Sequence, residues 1–110
     1  MINRICQVRK LDRRFSAYPF FLYMLEFELD LRLSPHPRTS VSKDSFLSIR
    51  ECLWENYGAS KEIRFWLEDH RKSVTDRQCH NPDWCWDTEH HHYRIYLSEG
   101  ALSYCSLRWA

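Results

Sequence analysis

The sequence predicts an α+β domain built as a two-layer sandwich. In it, two helices cover one face of a three-stranded, mostly antiparallel sheet in the order βαββα. Three observations support this prediction: three segments alternate apolar and polar residues, two segments carry apolar residues at helical spacing, and capping residues bound those two segments. A chain of 110 residues with 44% hydrophobic content suits one folded domain with one core.

The three predicted strands are recognised by strict alternation, which is typical of a strand with one buried and one solvated face. Residues 21–33 form the first, "KEIRFWLED" contains the second and "HHYRIYLS" the third. In the second strand the alternation places Phe65 inward and Trp66 outward. Acids on the first strand's outer face, including Glu26, are expected to pair with Arg64 or Arg94.

Two predicted helices follow from capping residues and apolar spacing. "SKDSFLSIRECLWENYG" has Ser42 as its cap and ends at Gly58, where a left-handed turn suits glycine. Ser98 caps the second helix, which begins at Glu99. The core-facing stripe of the first helix consists of Phe46, Ile49, Leu53 and Tyr57, and that of the second of Leu102, Cys105 and Trp109.

The predicted domain spans residues 21–110, and residues 1–20 form a basic N-terminal arm. One acid, Asp12, stands in the arm against five basic residues: Arg4, Arg9, Lys10, Arg13 and Arg14. Two interpretations of the arm stay open. It is either a solvated tail, as termini often are, or a strap that binds phosphates.

Charge and cysteine usage restrict the class of protein. A net charge of +1 gives no overall field that would draw the chain to nucleic acid. Five cysteines without a CxxC pair indicate reduced thiols and a cytoplasmic protein. The apolar run "FSAYPFFLYMLEF" is interrupted by acids and is shorter than the roughly 20 residues of a membrane span, so we expect no membrane association.

The stretch "CHNPDWCWDTEHHHYRIYLS" is the densest in chemically active side chains. Zinc would require Cys79, Cys85, His90 and His92, but the two cysteines lie six residues apart, which is a poor spacing for a zinc site. A catalytic thiol with a histidine base has no recognisable signature around either cysteine. We therefore expect no enzymatic activity and no cofactor, with a zinc-stabilised fold as an alternative.

The outer face of the predicted sheet combines tryptophan, tyrosine and arginine. Its members are Arg64, Trp66, Trp84, Trp86, Arg94 and Tyr96. These side chains either stabilise the sheet through cross-strand contacts or form a protein-binding surface, because tryptophan, tyrosine and arginine dominate such surfaces. Acids on the first strand disfavour nucleic acid on this face.

The C-terminal half, "WCWDTEHHHYRIYLSEGALSYCSLRW", resembles small uncharacterised accessory proteins of tailed bacteriophages. In these, a Trp-x-Trp-Asp segment leads into an "RIYL" strand and then a short helix that ends in "LRW". The helix "RECLWENYGAS" is similar to their first helix. The resemblance covers residues 24–109 and implies a viral accessory protein, located in the host cytoplasm or on the virion, without implying any catalytic residue.

Three functional hypotheses follow. The first is a binding protein that docks on a host protein, a viral protein or a second copy of itself through the outer sheet face and the long loop. The second is a nucleic-acid binder that uses the basic arm and the loop at residues 69–83, through Arg4, Arg9, Lys10, Arg13, Arg14, Arg71, Lys72 and Arg77. The third is the zinc-stabilised domain.

Overall fold

The computed structural model describes residues 6–27, 37–71, 81–88 and 93–109, and for residues 37–43 the backbone alone. It is an α+β structure with an antiparallel sheet, as predicted. The elements in chain order are β1 (Gln7–Lys10), β2 (Tyr23–Phe27), α1 (Pro37–Tyr57), α2 (Ile63–Arg71), β3 (Trp84–Asp87), β4 (Tyr93–Leu97) and α3 (Glu99–Arg108).

Within the described ranges, the sheet has four strands in the order β1-β2-β4-β3, and each neighbouring pair is antiparallel. β1 lies inside the predicted N-terminal arm and pairs with β2, with Val8 opposite Leu25. Leu11 and Ala17, also from the predicted arm, are buried. Residues 6–20 are therefore an integral part of the folded structure rather than an arm outside it.

The predicted second strand is a helix. Residues 63–71 form α2, whose buried members Ile63, Trp66 and Asp69 recur every three residues. Alternation in "IRFWL" also fits this helix, because a five-residue window cannot separate a period of 2 from one of 3.6. Trp66 therefore faces the interior, and Phe65, which was predicted to face inward, is exposed.

The segment "WCWD" forms its own strand, β3, which pairs with β4 so that Cys85 lies opposite Tyr96. None of the three predicted strands contains "WCWD", so β3 is an additional strand, separate from β4. They are the two arms of an antiparallel pair, and residues 89–92 between them lie outside the described part of the chain.

One face of the sheet packs against α1 and α3. The predicted stripe of α1 is confirmed, because Phe46, Ile49 and Leu53 are buried. Gly58 has a φ of 92° and ends α1, as predicted. The predicted cap of α3 is also confirmed, because the Ser98 hydroxyl accepts a hydrogen bond from the Ala101 backbone N–H at 3.2 Å. Ser42, by contrast, lies inside α1, which begins at Pro37.

The opposite face of the sheet is also covered. Met24, Cys85 and Tyr96 project to this side, where α2 and residues 11–21 pack over them. The predicted two-layer arrangement with one bare face is therefore not confirmed. Within the described ranges, none of the helices is both long enough and apolar enough to cross a membrane.

Candidate functional site

Three aromatic residues of the predicted docking face lie in the interior. Trp66 and Tyr96 are each 3% exposed, and Trp84 is fully buried. The Trp66 indole N–H donates a hydrogen bond to the Asn81 carbonyl at 2.7 Å, and that of Trp84 donates to the Gly58 carbonyl at 3.0 Å. The expectation that these residues form an exposed face is wrong. Trp66 and Tyr96 are buried between the sheet, α2 and residues 11–21, whereas Trp84 is buried in the core on the α1 side of the sheet.

The other three members of that set belong to three different elements. Arg94 donates to Glu26 at 3.1 Å, which confirms the expected ion pair across β2 and β4. Arg64 lies on α2, with its guanidinium over the Phe65 ring at 4.7 Å. Trp86 is partly buried and packs against the core on the α1 side of the sheet. Of the predicted six, Trp86 is the one that reaches the groove described below.

Of the candidate zinc and catalytic residues, only Cys85 lies in the described part of the chain. Its side chain is fully buried, and burial raises the pKa of the thiol well above its usual value, so the thiol is protonated at neutral pH. Cys79, His90 and His92 lie outside the described residues. Among the described residues, no group of three or more His, Cys, Asp and Glu side chains is arranged to hold a metal ion.

The basic residues proposed for nucleic acid are partly neutralised. Arg9 lies 3.4 Å from Glu26, and Arg14 lies 2.9 Å from Asp12, whose pKa it lowers. Among the remainder, Lys10, Arg13 and Arg71 are exposed, whereas Arg4, Lys72 and Arg77 fall outside the described ranges.

An aromatic groove opens between α1 and β3, and we call it the α1–β3 groove. It has a volume of about 630 Å³, and its lining consists of Leu47, Arg50, Glu51, Trp54, Glu55 and Trp86. Trp54 is 47% exposed, and its ring centroid lies 6.1 Å from that of Trp86 and 6.2 Å from that of the buried Trp84. One exposed indole thus stands on a floor of packed aromatic rings.

The rim of the groove is acidic. Glu51 and Glu55 are exposed, lie one helical turn apart on α1, and form no ion pair with any residue that the structure describes. Among the described residues that line the groove, Arg50 carries a positive charge. Its guanidinium lies over Trp86 at 5.4 Å and over Phe46 at 5.6 Å, so its charge is directed towards the aromatic floor.

The wall formed by β3 is anchored at the end of α1. The Ser60 hydroxyl donates to the Trp84 carbonyl at 2.6 Å, and the Trp86 N–H donates to the Lys61 carbonyl at 3.4 Å. The Asn81 side-chain amide donates to the Tyr57 carbonyl at 2.8 Å and holds the turn that follows α1. These bonds fix the backbone under Trp86, so the groove is formed before any partner binds.

Trp54 is absent from the predicted site because it lies beside the core-facing stripe of α1 and not on it. The spacing of Leu47, Arg50, Glu51, Trp54 and Glu55 places these residues on one face of the helix, beside that stripe. A tryptophan and an arginine on a helix face outside the core-facing stripe are the sequence signal that could have indicated this site.

No family model, curated protein or solved structure matches this chain. The binding preference of the α1–β3 groove must therefore be inferred from its own shape and charge.

Proposed function

We propose that the chain is a non-enzymatic binding protein that docks on a protein partner through the α1–β3 groove. The groove accepts a large apolar side chain that is flanked by lysine or arginine. The observation that carries this proposal is Trp54, which is half-exposed against Trp86, beside two carboxylates that form no ion pair with any described residue.

The preference for an apolar anchor follows from the floor and walls of the groove. Tryptophan and arginine are the residues that most often dominate the energy of protein interfaces, and they act best in preformed pockets that exclude water. Leu47 and Trp54 supply apolar surface, and Trp86 is held by backbone hydrogen bonds below them. One leucine or aromatic side chain of a partner would lie in the groove against the exposed surfaces of Trp54 and Trp86.

The preference for basic flanking residues follows from Glu51 and Glu55. Like charges four residues apart on a helix repel each other, by roughly 0.2–0.5 kcal/mol. A cation from a partner would relieve that repulsion and gain a charge-assisted hydrogen bond. The same carboxylates would repel phosphate, so the acidic rim supports a protein partner rather than nucleic acid.

The resemblance to accessory proteins of tailed bacteriophages fits this proposal. Such a product would meet host or viral proteins in the host cytoplasm or on the virion. A small protein with a preformed groove is suited to recognising a single exposed segment of such a partner.

The proposal is tested by calorimetric titration with three short synthetic peptides. The first carries a central Leu-Phe pair flanked by arginines, the second carries Ser-Gly between the same arginines, and the third carries Leu-Phe flanked by glutamates. We expect measurable binding of the first peptide alone, weakening as salt is raised because the carboxylates are exposed to solvent.

The matched variants are Trp54→Ala and Phe65→Ala. Phe65 is 45% exposed, almost the same as Trp54, but lies on α2 outside the groove. Truncation at Trp54 should weaken binding by about 2 kcal/mol, the scale of an interface hot spot, and truncation at Phe65 should leave binding unchanged. Equal affinity for all three peptides, or equal effects of the two variants, would refute the proposal.

A further inference from the structure

A second apolar surface lies on the segment between β1 and β2. Tyr18 is 37% exposed, and Phe20 and Leu22 are each 39% exposed, at alternate positions within five residues. Phe20 is supported from below, because its ring lies 4.4 Å from the His70 ring and 5.3 Å from the Trp66 ring. The segment therefore exposes three large side chains, and ring contacts with α2 hold Phe20 in position.

Two cations stand at the start of this segment in the sequence, because Lys10 ends β1 and Arg13 lies in the turn that follows. Lys10 and Arg13 are exposed and form no ion pair within the described part of the chain. Together with the three apolar side chains they define what we call the N-terminal surface: Lys10, Arg13, Tyr18, Phe20 and Leu22. It combines the two features that the α1–β3 groove is proposed to select, namely large apolar groups and flanking cations.

Within one molecule, the groove and the segment that carries Tyr18 and Phe20 lie on opposite faces of the sheet. Trp86 packs with the core under α1, whereas residues 11–21 pack with α2 on the opposite face of the sheet. A contact between the groove and that segment would therefore join different copies of the chain.

We propose that the partner in the α1–β3 groove is the N-terminal surface of a second copy of this chain. This inference rests on the proposed function and names its partner. Apolar groups of one copy contact Trp54 of the next, while Lys10 and Arg13 face Glu51 and Glu55 of that copy. Complementary charge of this kind speeds encounter and fixes register.

The contact is heterologous, because each copy offers a groove on one side and an N-terminal surface on the other. Such head-to-tail contacts generate either closed rings or open filaments, and neither requires a self-complementary patch. The mass of the assembly is therefore expected to rise with protein concentration and to fall with salt.

Two variants test this directly in analytical ultracentrifugation of the full chain. Trp54→Ala disables the groove and leaves the N-terminal surface intact. The double variant Lys10→Glu with Arg13→Glu disables the N-terminal surface without touching the core, since both side chains are exposed. Each variant alone should associate with itself at least about 30-fold more weakly than the wild type, which corresponds to the loss of one hot spot. Each should therefore be monomeric at concentrations at which the wild type assembles.

Mixing the two variants gives the decisive result. Each pair then retains one intact groove and one intact N-terminal surface, so a complex of one copy of each should form and grow no further. A further variant, in which Glu51→Lys and Glu55→Lys are added to Lys10→Glu and Arg13→Glu, should regain self-association, because the reversed charges are again complementary.

Two results would overturn the inference. One is a wild-type chain that stays monomeric at low salt. The other is a mixture of the variants that forms no complex. If the wild type is monomeric and the double variant instead loses binding to a single-stranded oligonucleotide or to anionic vesicles, the N-terminal surface serves an anionic partner. If the chain does not self-associate but still binds the arginine-flanked peptide, the proposed function stands and only this inference fails. If the chain neither self-associates nor binds the peptide, the proposed function fails as well.

Discussion

Replacing Trp66 with alanine should nearly unfold the protein, whereas replacing its neighbour Phe65 should have little effect. The two residues are adjacent on α2, yet Trp66 is 3% exposed and Phe65 is 45% exposed. A strand at this position would reverse the expected order of the two effects. The pair of substitutions therefore tests the local fold as well as the burial of each side chain.

The magnitude for Trp66 follows from its contacts. Its ring lies 4.9 Å from that of Phe21 and stacks on His70 at 5.5 Å, and its indole N–H donates to the Asn81 carbonyl. Truncating a buried tryptophan costs about 3–5 kcal/mol, and the lost hydrogen bond adds about 1 kcal/mol. A loss of about 4–6 kcal/mol is a large share of the roughly 5–15 kcal/mol by which a domain is stable.

For Phe65, the contact with Arg64 is exposed, and alanine is the better helix former by about 0.5 kcal/mol, so the net loss should stay below about 1 kcal/mol. Urea unfolding followed by circular dichroism measures both values. If Trp66→Ala does not fold, Trp66→Phe provides a milder comparison, with an expected loss of about 1–3 kcal/mol from the unmet Asn81 carbonyl. A larger loss at Phe65 than at Trp66 would refute the assignment of α2.

Further predictions concern the core and its titrating groups. Trp84→Phe should lower the free energy of unfolding, measured in urea, by about 1–3 kcal/mol, because the Gly58 carbonyl loses the indole N–H that donates to it. A double-mutant cycle on Glu26 and Arg94 should give a coupling of about 0.5–1 kcal/mol, and zero coupling would count against the pair. Burial raises the pKa of Cys6 and that of Cys105 from 9.0 to about 12. The folded state therefore holds these protons more tightly than the unfolded state, and the urea midpoint should fall as pH rises from 9 towards 12.

Elements with long, regular signals could be predicted from the sequence. The stripe on α1, the glycine that ends it and the serine cap of α3 each reflect local chemistry that a single sequence displays. The ion pair between Glu26 and Arg94 was also foreseeable, since both residues lie on facing positions of paired strands.

The rest depends on tertiary packing. α2 is only nine residues long, and its first five fit a strand equally well until Trp66 is known to be covered. That one misassignment made a sheet face look bare and hid the role of residues 11–21 as its cover. The α1–β3 groove was missed for a related reason, because Trp54 and Trp86 come together only when β3 packs beside α1.

The most direct test of the proposed groove uses the chain's 5 tryptophans as reporters. With indole nitrogens labelled for NMR, the arginine-flanked peptide is added in steps. The indole signals of Trp54 and Trp86 should shift together and saturate, while those of the buried Trp66 and Trp84 should move far less. Saturating shifts confined to tryptophans outside the groove, or no shift at Trp54, would contradict the assignment of this groove as the docking site.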